Sequence, residues 1–153
     1  MKNSRYCILL MIPFFAAAVM PWLAPSTVPR VALITVFWLA VINIFLAGFS
    51  AGDAAQTLVR NVEPEGRVRL RLLGALGLTI LVVLAAALYF LMSPMLAIVV
   101  LGAVLLFNGR VVRATQYGQT ITPVDYRFLQ KNIWVVLGCL LMLLMSYYRY
   151  VHA

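Results

Sequence analysis

The chain has 153 residues, 65% hydrophobic and only 10% charged, with a formal net charge of +8 and a mean hydropathy of +1.01. A soluble domain of this length has too much surface for its volume to hide so much apolar area, so a water-soluble globular fold is excluded and lipid must serve as solvent. The positive charge lies on short segments between apolar runs, which argues for membrane topology and anionic headgroups and against nucleic acid as a partner.

Read in chain order, the apolar runs predict a single all-α membrane domain of five transmembrane helices, over about residues 6–24, 31–52, 70–92, 94–112 and 131–149. Span 1 contains Pro13, which is expected to kink it. Its basic start, apolar middle and Ala16-Ala17-Ala18 also fit a signal peptide, whose removal would leave four spans in the same orientation. Residues Pro21–Pro29 read as a stiff outer loop with Trp22 at the interface.

Span 2 carries the polar surprise, Asn43, within NIFLAGFSAGDAAQTLVR, residues 43–60. At about 100° per residue, Ala40, Ala47, Ala51, Ala54 and Ala55 share one face, with Asn43 and Ser50 at its edge. Trp38, Ile42, Phe45 and Phe49 fall on the opposite face. Little hydrophobic drive separates helix from lipid, so small residues, which allow close backbone contact, are expected to pack inward and the aromatics to meet lipid. The aromatic stripe continues into Asp53, Gln56 and Arg60, so Asp53 is expected in solvent near Arg60, away from Asn43. Gly48-x-x-x-Gly52, flanking the small face, joins Ala47 and Ala51 as a helix-packing set. The helix is expected to run some three turns past the membrane before Pro64 stops it.

The cluster RVRLR places Arg67, Arg69 and Arg71 in the loop before span 3, where they suit anionic headgroups. Ser93-Pro94 reads as a helix cap and first helical residue, making the link between spans 3 and 4 a tight hairpin. Span 4 is short unless Arg110 snorkels to the headgroups. Thr122-Pro123, with Asp125 three residues after the cap, starts the last helix well before the membrane. Tyr147, Tyr148 and Tyr150 form an aromatic belt at its far end.

With five spans, the N-terminus and the 2–3 and 4–5 loops share one side. That side holds Lys2, Arg5, Arg60, Arg67, Arg69, Arg71, Arg110, Arg113, Arg127 and Lys131, and the other holds Arg30 and Arg149. The bias puts the N-terminus in the cytoplasm and the C-terminus outside a bacterial inner membrane, with helices 2 and 5 extended into the cytoplasm.

Chemistry is sparse. His152 is the single histidine and lies in the tail, so neither haem nor zinc ligation is expected. Cys7 and Cys139 lie at different depths, too far apart for a disulfide. No nucleophile–base pair, paired carboxylates or phosphate loop can be assembled, so no catalytic residues, metal or cofactor are expected. The candidate binding residues are Asn43, Asp53, Arg67, Arg69 and Arg71. The expected partners are membrane lipids and a membrane protein or second copy. Three functions remain open: an accessory or assembly protein, a carrier or channel centred on Asn43, and a lipid-acting enzyme using Asp53 and the arginines.

MIPFFAAA (Met11–Ala18), NIFLAGFSAG (Asn43–Gly52) and DYRFLQ (Asp125–Gln130) resemble the transmembrane protein 69 family, whose bacterial members form a domain family of unknown function. Ala47-Gly48 stands where that family has Gly-Gly, and Phe49-Ser50-Ala51 where it tends to have a histidine or arginine followed by tryptophan. The resemblance implies a small inner-membrane protein and no defined activity.

Overall fold

A computed structural model of the chain describes residues 3–60, 64–115 and 123–152, with side chains described over 11–60, 64–109 and 131–152. Among these it shows five α-helices: α1 (Asn3–Leu23), α2 (Val28–Val59), α3 (Glu65–Leu91), α4 (Pro94–Thr115) and α5 (Pro123–His152). A 3-10 turn, Pro25–Thr27, joins α1 to α2. The expected nine-residue outer loop is therefore shorter. Pro21 ends inside α1, and Pro29 fits the first turn of α2, where a missing N–H costs nothing.

Three helices are long and apolar enough to cross a membrane, and Met11–Leu23 and Pro94–Gly109 are shorter apolar helices. At 32 residues α2 is about 48 Å long, well beyond a hydrocarbon layer of about 30 Å. α5, at 30 residues, is nearly as long.

The helix starts follow their sequence signals. Pro94 opens α4, and the Leu96 N–H donates to Ser93 Oγ at 3.2 Å, as a capping serine should. Pro123 opens α5, whereas Thr122 and the side chains of Asp125, Arg110 and Cys7 lie outside the described residues. α3 departs from expectation. It begins at Glu65, so Arg67, Arg69 and Arg71 belong to its first two turns, with Arg67 and Arg71 on one side and Arg69 on the other. Pro64, extended at φ −60 and ψ 136, caps it and cannot continue a helix from before.

α2 is the centre of the bundle and touches all four other helices, while α1 packs mainly on α5. Phe14, Leu39, Val82, Ile98, Leu101, Leu105 and Leu143 fill the core. Outward faces are strongly apolar, with Phe37, Phe45, Leu73, Leu84 and Phe90 all exposed. Apolar area of that extent on every side fits lipid as the surrounding solvent.

The rotation of α2 differs from expectation. Its buried stripe is Leu39, Asn43, Leu46, Ala47, Ser50, Asp53, Ala54 and Thr57. Phe45 and Phe49 do face outward, but Trp38 and Ile42 are half-buried against the core. Ala55 is exposed and Ala51 only half-buried. The inward direction is turned roughly 90° from the centre of the small face. It is set by the polar side chains and not by the small ones.

Gly48 and Gly52 are exposed, and a Cβ added to either would meet nothing within 4 Å. The close approaches are on α4 instead. A Cβ on Gly109 would lie 2.5 Å from Ile133 Cδ1, and one on Gly102 would touch Leu140 at 3.4 Å. The absence of a side chain there lets α4 and α5 pack closely. Gly109→Val should lower the thermal stability of the detergent-purified protein by about 1–3 kcal/mol, the usual cost of overpacking. Ile133→Ala in that background should restore part of the loss. Gly48→Ala should stay within about 0.5 kcal/mol of the parent in the same melt.

Candidate functional site

Most of the described buried polar side chains gather on one face of α2, with Ser146 of α5 standing apart. Asn43, Ser50, Asp53 and Thr57 are all buried, and Asn108 of α4 joins them. Spacings of seven, three and four residues keep this row on one side of a helix.

Asn43 is fully buried, at 0% exposure. Its Nδ2 donates to Leu39 O at 2.9 Å and across the helix interface to Leu101 O at 3.2 Å. Its Oδ1 accepts from Asn108 Nδ2 at 2.8 Å. The same Asn108 nitrogen lies 3.4 Å from Asn43 O. Both amide hydrogens of Asn43 are thus engaged by carbonyls, and its oxygen by a second amide. An unmet amide in an apolar medium costs several kcal/mol, so the pair holds α2 and α4 in one register. Asn108, at 2% exposure, was not among the candidate residues the sequence singled out.

Asp53 is 8% exposed, and Arg71 Nη2 donates to its Oδ2 at 2.7 Å. The expectation of a solvated Asp53 beside Arg60 is therefore corrected: it is a buried ion-pair partner of α3. Ten residues separate Asn43 from Asp53, about 80° on the helical wheel, so one face carries both. Arg71 reaches the pair because α3 already starts at Glu65 and rises beside α2. With side-chain exposures of 20% for Arg71 and 7% for Asp53, the bridge is shielded enough to be held firmly.

The other arginines do not join it. Arg69 pairs with Glu65 at 3.6 Å on the same helix, both largely exposed, a contact that contributes little. Arg67 is exposed, one turn before Arg71 on the same face. Thr35, Thr57 and Thr79 each donate their hydroxyls to carbonyls of their own helices. Of the packing set, Ala47 is buried, Ala51 half-buried and the two glycines outward-facing. Cys139 is a buried free cysteine on α5. Among the described residues no three His, Cys, Asp or Glu side chains gather in a way that would hold a metal ion.

The result is two buried interhelical polar ties on one helix, an amide pair to α4 and an ion pair to α3, beside an exposed third in which the Tyr89 hydroxyl of α3 donates to Pro29 O at 3.4 Å. No protein-family model, curated protein or solved structure matches the chain.

Asn43→Leu or Asn108→Leu should each destabilise by about 1–3 kcal/mol, because each strands one buried amide. The double substitution should cost less than their sum, measured as a double-mutant cycle in detergent or bicelles. Asp53→Asn or Arg71→Gln should cost about 3 kcal/mol by leaving a shielded charge unpaired. Asp53→Leu with Arg71→Met, which removes both charges, should recover most of that stability in the same unfolding assay.

Proposed function

We propose that the chain is a small multi-pass protein of a bacterial inner membrane, acting as an accessory, scaffold or assembly protein through helix–helix and lipid contacts. Five spans, with the N-terminus in the cytoplasm and the C-terminus outside, fit the ten-to-two division of Lys and Arg and the alternating course of α1 to α5. On this reading the cytoplasmic ends of α2 and α5 project beyond the headgroups, and Arg67 and Arg69 meet anionic lipid there. The resemblance to the transmembrane protein 69 family is consistent with such a protein and adds no activity.

One observation carries this reading. The two polar residues that most invited a ligand, Asn43 and Asp53, are bonded to neighbouring helices. A carrier would need Asn43 to offer a hydrogen bond to its cargo, yet both amide hydrogens are held by Leu39 O and Leu101 O. A lipid-acting enzyme would need Asp53 to reach a headgroup, yet its carboxylate faces the Arg71 guanidinium from a buried position. Both alternatives require the bundle to open first. The scaffold reading does not.

Gentle extraction followed by native mass spectrometry should recover the chain with a protein partner in defined stoichiometry. A lone chain or homo-oligomer holding one stoichiometric small molecule would overturn the scaffold reading in favour of a carrier. Orientation has its own check. An alkaline phosphatase fused after the C-terminus should be active, and one fused in the segment between α2 and α3 inactive; the reverse pattern would invert the proposed topology.

A further inference from the structure

We draw no further inference here: the strongest candidate, the outward stripe of α2 on which Gly48 and Gly52 lead to a shallow hollow lined by Ala55, Gln56, Val59 and Arg60, is an exposed surface of small residues with one arginine at its end, and nothing in the structure shows what covers it.

Discussion

A polar group in a medium that offers it no water must find its partner within the protein, and this requirement fixes the central helix. Asn43 sits fully buried on α2 and binds Leu101 O and Asn108 of α4. These contacts determine how far α2 is rotated and how it is set vertically against α4. Shape alone would not do so, because in lipid one apolar face of a helix is nearly as well solvated as another. Leu39, Leu46, Ala47 and Ala54 are inside because they share the face that Asn43 and Asp53 must bury.

The Asp53–Arg71 pair repeats the logic near the other end of α2. It is more exposed and carries full charges, so it is costlier to desolvate and costlier still to break from one side. Together the two ties make α2, α3 and α4 a registered unit. The α1–α5 layer is joined to it among the described residues by apolar packing and by close contacts at Gly102 and Gly109.

This arrangement bears on what the molecule can do. Asn43, Asn108 and the Asp53–Arg71 pair are engaged in holding helices together, whereas Thr35, Thr57 and Thr79 bond carbonyls of their own helices. On the scaffold reading we propose, such a protein works through its faces and its ends, against lipid and other membrane helices.

Much of the architecture was legible in the sequence, because it rests on one-dimensional quantities. Apolar length gave the helices, and proline with a preceding serine gave the start of α4 down to the Ser93 cap. Pro123 did the same for α5. Which way each helix faces was not legible. Small residues suggested one direction for α2, but the structure turned it so that Asn43 and Asp53 face inward together. That turn sent Gly48 and Gly52 outward. The reason is that a polar side chain's need depends on what another helix brings to the same depth. Asn108, Leu101 O and Arg71 lie 65, 58 and 18 residues away from their partners. The sequence determined that α2 would be a long membrane helix with two polar residues to satisfy; only the tertiary packing decided that α4 and α3 would satisfy them.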